Sequence, residues 1–592
     1  VDSLKTKIIV WYRRAKNAWP FFSFLKPGKQ SQEEIDRKLV YNLAPRKIPN
    51  RDQMKHLNKF LNPREFLVIK ICLLVILVNA VYLGISFIKK HLTYLPVSGG
   101  SYNEGLVGYP KTINPLYAVN RDVDSDLSSL IYSSLVKYDE NGSLVNDLAD
   151  QIDISANGKE YLVKVKSNIL WHNGEKLTID DILFTFDLIK NADYRSPLRS
   201  SLSIAEAERV DDNSIKFVLS EPYAPFLELL TFGVLPKSLW NEVSPSAAIL
   251  SDLNLKPIGS GPYKFRSLIK SKMGDLKEYH LVVNEDYYGN KPYIKNLNFD
   301  FFADRQEALR ALNDKQIDGL SYLPWESRKD VLAQNSLHFY ELDQPQLVAL
   351  FFNQEKNKAL SEKIVRVALA KALDKRQLIS EVFNNIYPLA DSPLLATSPA
   401  YNNGVTRYDY DPVVAAETLR NKKLAVTLSV VDAGSNGIVA DKIKKYWEAV
   451  GVSVTIKTVS SEQAANLVKN RDFDILLYGE SIGGDPDVYA FWHSSQIGTK
   501  GLNLAGYNNS EVDKLLLEAR VATTSNERIA KYQKFQEIVT TDLPAIFLYS
   551  PTYTYLQSKS VKGFASTIII EPADRFSGVA NWYIKTNKKL TW

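Results

Sequence analysis

The chain has 592 residues, 24% of them charged, a formal net charge of +6 and a single cysteine, so no intramolecular disulfide can form and the fold must be held by its core alone. The charge is uneven: residues 1–70 carry 16 Lys and Arg against 6 Asp and Glu, a net of +10, while the rest sums to −4. That asymmetry argues against the uniformly basic character of a nucleic-acid binder, and no nucleic-acid partner is implied; it points instead to anionic lipid beside the inner leaflet of a membrane.

The basic leader, residues 1–65, holds a helix start with capping-box spacing at Ser31-Gln32-Glu33-Glu34. Upstream, Trp11, Tyr12, Trp19, Phe21 and Phe22 mix with Arg13, Arg14 and Lys16, which reads either as an interfacial membrane helix or as a disordered basic tail. A second start, Asn62-Pro63-Arg64-Glu65, supplies a cap, a proline at the first helical position and an acid at the third. It precedes residues 71–88, 18 positions without charge and with one amide, Asn79, long enough to span a bilayer. A single transmembrane helix is expected over 66–90.

Arg51, Lys55, Lys59, Arg64 and Lys70 lie in the twenty residues before this run, and only Lys89 and Lys90 in the twenty after it. The N-terminal side is therefore expected in the cytoplasm and the remainder outside the plasma (inner) membrane. A cleaved signal peptide has a short basic start and a core of about 7–15 residues, so an uncleaved, single-pass anchor is the expectation. Cys72, preceded by Val68-Ile69-Lys70-Ile71 rather than by small residues, reads as an inert lipid-facing side chain.

Beyond a linker at 96–105, strand and helix signatures alternate without repeats. Tyr161, Val163 and Val165 alternate with Lys164 and Lys166; Ile215, Phe217 and Leu219 alternate, as do Leu297, Phe299 and Phe301, each a half-buried strand. Thr178-Ile179-Asp180-Asp181 opens a helix with Ile179, Ile182, Leu183, Phe186 and Ile189 on one face. Later, a strand (Leu424, Val426, Leu428, Val430), a helical stripe (Val439, Ile443, Tyr446, Trp447, Val450) stopped at Gly451, and a second strand (Val452, Val454, Ile456) form a βαβ crossover. Ligands of such sheets sit at the carboxyl ends of strands, which makes residues 479–487, after Tyr478, a candidate ligand loop.

Catalytic signatures are missing from the sequence. His172, His280, His338 and His493 are far apart, with no metalloprotease pair, and no Walker A sequence, dinucleotide fingerprint or nucleophile elbow occurs. Asp180/Asp181 and Asp211/Asp212 fall where caps and turns explain them. The chain reads as a binder, with no enzyme activity, metal site or cofactor expected.

Nine stretches then occur in a recognisable order: TINPLY (112–117), LIYSSLVKYDENGSLVNDLAD (130–150), NILWHNGEKLTIDDILFTFDLI (168–189), VDDNSIKFVLSEPYAPFLELL (210–230), PIGSGPYKF (257–265), NEDYYGNKPYIKNLNF (284–299), LFFNQ (350–354), IVRVALAKALDKRQLI (364–379) and DPDVYAFWHSSQ (485–496). In this the exported body resembles the family-5 extracellular solute-binding proteins, which include the oligopeptide- and dipeptide-binding components of ABC importers. The resemblance implies an α/β fold of the two-lobed type-2 periplasmic-binding-protein kind with an extra subdomain, here preceded by the transmembrane helix. By that analogy the solute-binding body is 100–592, with lobe 1 at 100–145, 256–345 and 546–592, an inserted subdomain at 146–255, and lobe 2 at 346–545.

The resemblance also implies a function: a monomeric, membrane-anchored receptor that closes on a peptide-like small solute and delivers it to ABC permease and ATPase subunits. A receptor that signals or scaffolds through the anchor, or a binder of a sugar or metal chelate, is the alternative. In peptide-binding members an aspartate three positions before the Asp-Pro pair meets the ligand's amino group; here that position is Ile482. Glu480 or Asp485 is left to supply the charge, unless Asp485 is a turn former. Trp492 and His493 either line the cleft or pack beneath it. Tyr322, Trp325 and Asn353 lie where family members pass between lobes, as ligand contacts or as core. Asn114 and Tyr478 complete the candidate set.

Overall fold

The computed structural model describes Lys55 and residues 61–331, 336–498 and 501–590; the capping box at Ser31 and the aromatic-basic segment around Trp11 lie outside them. Two compact units divide the chain, one of Val1–Tyr94 with Lys588–Trp592 and one of Leu95–Asn587.

The first unit contains the helix Pro63–His91, 29 residues with none buried. It starts where the sequence places it: Pro63 takes the first position and the Asn62 amide donates to Glu65 Oε2 at 3.0 Å. Its most apolar 18-residue window has a mean hydropathy of 2.7. The one amide is satisfied within the helix, Asn79 Nδ2 donating to the Val75 carbonyl at 2.8 Å, as a polar donor in an apolar setting requires. At about 1.5 Å per residue the helix is on the order of 40 Å long, more than the hydrocarbon thickness of a bilayer.

The second unit is built on three principal sheets. Seven strands lie in the order Leu337–Asp343, Thr552–Ser558, Gly319–Leu320, Ser101–Val107, Asn296–Phe302, Leu276–Val283, Tyr263–Lys270; Ser101–Val107 is parallel to both of its neighbours. Leu297, Phe299 and Phe301 all point into its core, as their alternation requires. A four-stranded antiparallel sheet, Ala149–Ile154, Glu160–Val165, Ser214–Leu219, Ala205–Arg209, buries Tyr161, Val163 and Val165 against Ile215, Phe217 and Leu219. The helix Ile179–Lys190 carries a complete capping box between Thr178 and Asp181 and buries Ile179, Ile182, Phe186 and Ile189. These two sheets share one continuous core and together make the first body of this unit, the five-stranded sheet described next making the second.

A third sheet orders Ser453–Val459, Ala425–Val431, Ile475–Ser481, Gln346–Phe352, Ala545–Tyr549. The βαβ crossover is present: Ala425–Val431 and Ser453–Val459 pair in parallel, the helix Asn436–Ala449 buries Val439, Ile443 and Trp447, and Gly451 takes φ +88° at its stop. Each face of this sheet has its own core. The chain enters it from Leu337–Asp343 through Gln344 and Pro345, and returns to the seven-stranded sheet through Ser550 and Pro551.

Two close packings fix the first body. The Gly261 amide donates to the Ile131 carbonyl at 2.8 Å, and a Cβ at Gly259 or Gly261 would stand 1.9 or 2.7 Å from that oxygen, so only glycine fits either position. The fully buried Arg575 binds Asp126 through two hydrogen bonds of 2.6 and 2.7 Å and Glu104 Oε1 at 3.1 and 3.2 Å. Glu104 Oε2 also accepts from the hydroxyls of Tyr102 and Tyr555, at 2.6 and 3.0 Å. One guanidinium thus ties strand Ser101–Val107, helix Asp122–Ile131 and strand Thr552–Ser558 together. Arg575→Met would leave two buried carboxylates without their cation, at an expected cost of about 3–5 kcal/mol; urea unfolding of the full chain, followed by tryptophan fluorescence, checks it, and an unchanged midpoint would discount the cluster.

Candidate functional site

The strand Ile475–Ser481 runs parallel to Ala425–Val431 and antiparallel to Gln346–Phe352, so its carboxyl end is the position at which open sheets present ligand loops. It is longer than its sequence suggests. Gly479, Glu480 and Ser481 pair with Val348, Leu347 and Gln346, which places the first three residues of the expected loop in the sheet and starts the loop proper at Ile482.

Both acids of Asp485-Pro486-Asp487 are neutralised. Asp485 forms a two-pronged ion pair with Arg528, one bond at 2.5 Å, and its Oδ1 accepts from the Asp487 amide at 2.9 Å, a turn closed by its own side chain. Asp487 Oδ2 takes Arg520 Nε and Nη2, each at 2.8 Å. The arginines come from two successive helices, Ser510–Val521 and Ser525–Asp542. Arg520 lies 3.9 Å from the Tyr489 ring centroid and 5.4 Å from that of Tyr223, so it also bridges the two bodies.

Opposite this loop stand Tyr138, at the end of Val136–Tyr138, and Glu228, in the 3₁₀ helix Ala224–Thr231. A Cβ at Gly484 would lie 2.8 Å from both the Tyr138 hydroxyl and Glu228 Oε1; the two groups rest on bare backbone. Burial pushes Glu228 up to about 7, with the Tyr138 hydrogen bond and Arg528 pulling it down and Asp485 and Asp487 adding to the rise.

A second meeting place surrounds Tyr322. It follows the short strand Gly319–Leu320, holds φ +40° and leaves 41% of its surface exposed. For a bulky residue that conformation is strained and persists only where the surroundings impose it. Its ring lies 5.6 Å from Tyr553 and 5.2 Å from the Arg305 guanidinium. Trp325 packs against a core of the five-stranded sheet although its own segment follows the seven-stranded one. Glu326 accepts a hydrogen bond from Ser435. Tyr387, from the five-stranded side, is raised first by burial and then by Tyr322, with Glu326 and Glu341 adding to the rise and Arg328 opposing it, so these aromatics share one neighbourhood.

The sequence-derived candidates separate accordingly. Tyr322, Trp325 and Asp485 lie where the bodies meet. Asn114 does not: it is fully buried, donating to Asn254 Oδ1 at 3.1 Å and accepting from the Leu116 amide at 2.9 Å. Asn353 is occupied in the same way, donating to the Arg471 carbonyl at 2.8 Å and accepting the Glu355 and Lys356 amides. Trp492, 1% exposed, sits in a core beside Phe351 and Phe547. The ligand-contact reading of these three is therefore corrected, because their side chains are spent on the fold. His493 stacks on Tyr489 at 4.2 Å and accepts the Ser495 amide, and Tyr478 is half-buried on the strand.

Glu480 is the unusual member. Alternation puts it on the strand face of Leu476 and Tyr478, it is 5% exposed, and Oε1 is buried with no hydrogen-bond partner. Burial raises it well above the ordinary carboxyl range, since an unpaired carboxylate in an apolar setting keeps its proton. Of the two acids offered as ammonium partners, Asp485 is taken by Arg528 and Glu480 faces the interior.

Glu228, Tyr138, Tyr387, Arg520 and Arg528 were not among the candidates. Only Glu228 left a trace, as the sole charge in the apolar run 224–230.

The family model of bacterial extracellular solute-binding proteins, family 5 (middle region), matches residues 143–501. The oligopeptide-binding protein AppA of Bacillus subtilis (strain 168) is 28% identical over 495 residues, 79% of this chain and 89% of that one. Its crystal structure with a nonapeptide superposes with a TM-score of 0.64 at 26% identity, covering 83% of this chain and 100% of that one. The ABC transporter substrate-binding protein CtaP of Listeria monocytogenes gives a TM-score of 0.73 at 26% identity, covering 82% and 99%.

Glu480 makes stability depend on pH in a direction that follows from its burial. Its pKa is raised in the fold and returns to about 4.3 on unfolding, so its destabilising effect is absent in acid and grows as pH rises through that value. The Tm of Glu480→Gln is therefore expected to match the parent near pH 4.5 and to exceed it increasingly toward about pH 8; a pH-independent offset would show that the carboxyl is not protonated in the fold.

Proposed function

Because this chain belongs to the bacterial extracellular solute-binding proteins of family 5, we propose that it captures a peptide or peptide-like solute between two lobes, outside the membrane, and presents it to ABC permease and ATPase subunits. The observation that carries this reading is the meeting of the two bodies at Gly484 and around Tyr322, each flanked by side chains of both. The oligopeptide-binding name of the Bacillus subtilis relative and the nonapeptide in its crystal structure support a peptide as the solute. The relatives are solute-binding proteins, and no catalytic step is proposed.

We assign lobe 1 to 100–145, 256–345 and 546–592, the inserted subdomain to 146–255 and lobe 2 to 346–545. The seven- and four-stranded sheets fit these divisions, whereas strand Ala545–Tyr549 belongs to the five-stranded sheet, which moves the last boundary from 545/546 to the crossing at Ser550 and Pro551. The crossings at Gln344 and Pro345 and at Ser550 and Pro551 would be the hinge. A solute moves such an equilibrium only by binding the closed form more tightly than the open one; about 5.5 kcal/mol of difference carries 1:99 to 99:1. Tyr322, Trp325 and Tyr387 supply aromatic faces for a bound chain, and the exposed strand end at Gly479 and Ser481 supplies backbone.

The helix Pro63–His91 is the proposed anchor. Its uncovered apolar surface and the excess of basic residues on its N-terminal side support a single pass with the leader in the cytoplasm. The chain should remain with membranes through an alkaline wash, and a version starting at Leu95 should be released; release of both would remove the anchor.

Calorimetry of the full chain in detergent with peptides of two to nine residues, sugars and a nickel–histidine chelate tests the solute class. Saturable binding of peptides is expected, weakened roughly 3- to 10-fold by Tyr322→Ala, the worth of an aromatic contact of about 0.5–1.5 kcal/mol. Saturation by a sugar or chelate alone, or by nothing, would overturn the peptide reading.

A further inference from the structure

Gly484 is where a side chain is least tolerated between the two bodies, and the groups resting on it titrate. Glu228 and Tyr138 approach from the first core, and the loop after Ile475–Ser481 approaches from the second sheet. We propose that Glu228, with Tyr138, is a proton-linked latch between the lobes: the closed arrangement takes up a proton at this carboxyl and the open arrangement releases it. The inference rests on the two-lobe reading above.

The charges around Glu228 leave it without a cation of its own. From the facing loop come Asp485 and Asp487, and from helix Ser525–Asp542 comes Arg528; Arg520, from helix Ser510–Val521, lies against the neighbouring Tyr223. Each arginine is already engaged by one of the aspartates. Tyr223 lies beside it on its own segment, and Asp574 acts on Tyr138 from the 3₁₀ turn Pro572–Phe576. Among the described residues no ion pair involves Glu228. Ionised, it faces two carboxylates in a half-buried contact; protonated, it keeps its hydrogen bond with Tyr138 and loses the repulsion.

The direction of the linkage follows. In the contact Glu228 titrates at about 7, against 4.5 for an ordinary glutamate, and separation of the lobes returns it toward the ordinary value by hydrating it. A group whose pKa is higher in the closed form favours closure below both values and withdraws that support as pH rises through the higher one. Within this window one proton changes the closed-to-open ratio by at most about tenfold per pH unit. Solute affinity, which scales with the closed population, inherits the same dependence.

The test uses the full chain in detergent with Cys72→Ser and fluorophores on cysteines at the exposed positions Asn141 and Glu511, followed by single-molecule energy transfer. The short-distance population is expected to be flat from pH 8.5 to about 7 and to rise as pH falls from about 7 toward 4.5. Glu228→Gln, neutral at every pH, should hold it high and flat. Gly484→Ala, whose methyl would wedge against both partners, should hold it low throughout. A pH-insensitive parent, or a Glu228→Gln variant that keeps the parent's rise below pH 7, overturns the latch. A mixture of random hexapeptides at pH 8.5 separates the two ideas: if peptides shorten the distance while pH does not, the latch falls and the two-lobe reading stands, and if neither moves it, both fall.

Discussion

Two short crossings, each carrying a proline, are the covalent links between the seven-stranded and five-stranded sheets, and the rest of the body is arranged around them. Pro345 and Pro551 restrict the residues before them, Gln344 and Ser550, to extended conformations. The crossings are also tied to each other and to the candidate loop: Ser550 Oγ donates to the Gln344 carbonyl at 3.3 Å, and the Ile482 amide donates to the Pro345 carbonyl at 2.7 Å. The start of the loop that meets Glu228 is therefore hydrogen-bonded to one crossing and, through it, joined to the other. A small cavity lined by Asp343, Gln344, Leu389, Leu395 and Ser550 lies beside both, so close packing does not seal that side.

The charged side chains divide by whether they are neutralised. Arg575 with Glu104 and Asp126 is buried and paired, a fixed joint inside the first body. Arg528 with Asp485 and Arg520 with Asp487 are paired as well, and they hold the loop to the helices beneath it. Glu228, at the contact, and Glu480, on the strand leading to it, are in no ion pair among the described residues, and burial raises both. Buried pairs resist change because separating them exposes two charges to a poor solvent; lone acids respond to their surroundings by taking or losing a proton. The scaffold and the responsive groups are thus built from the same side-chain types, distinguished by partners.

Much of the fold was legible because local patterns carry it. Tyr161, Val163 and Val165 alternate, Thr178 and Asp181 cap a helix, and Gly451 stops one; each needs only its neighbours in the chain to be recognised. The sequence pattern ends this strand at Tyr478 because Gly479 and Glu480 are poor strand formers, whereas pairing with Val348 and Leu347 carries it to Ser481. The site was less legible because its contacts are long-range. Glu228 meets Gly484, and Arg520 and Arg528 reach back to Asp487 and Asp485 from separate helices, none of which leaves a periodic trace. Asn114, Asn353 and Trp492 stood out as motif residues, and they stand out because they hold the fold: an amide that satisfies neighbouring backbone or side-chain groups, or an indole filling a core, is hard to replace.

The same geometry settles which side of the contact can offer a negative charge. At the position where peptide-binding relatives of the resemblance place an aspartate, this chain has Ile482, whose side chain packs on a core of the five-stranded sheet. Side chains two apart on a strand share a face, so Glu480 falls in line with that position but inside the protein, while Gly479 and Ser481 take the exposed face. Asp485 and Asp487 are each held by an arginine and close turns of the loop. Both acids of the loop are thus already paired with arginines, and the acid at the contact that is in no ion pair among the described residues is Glu228, on the opposite body.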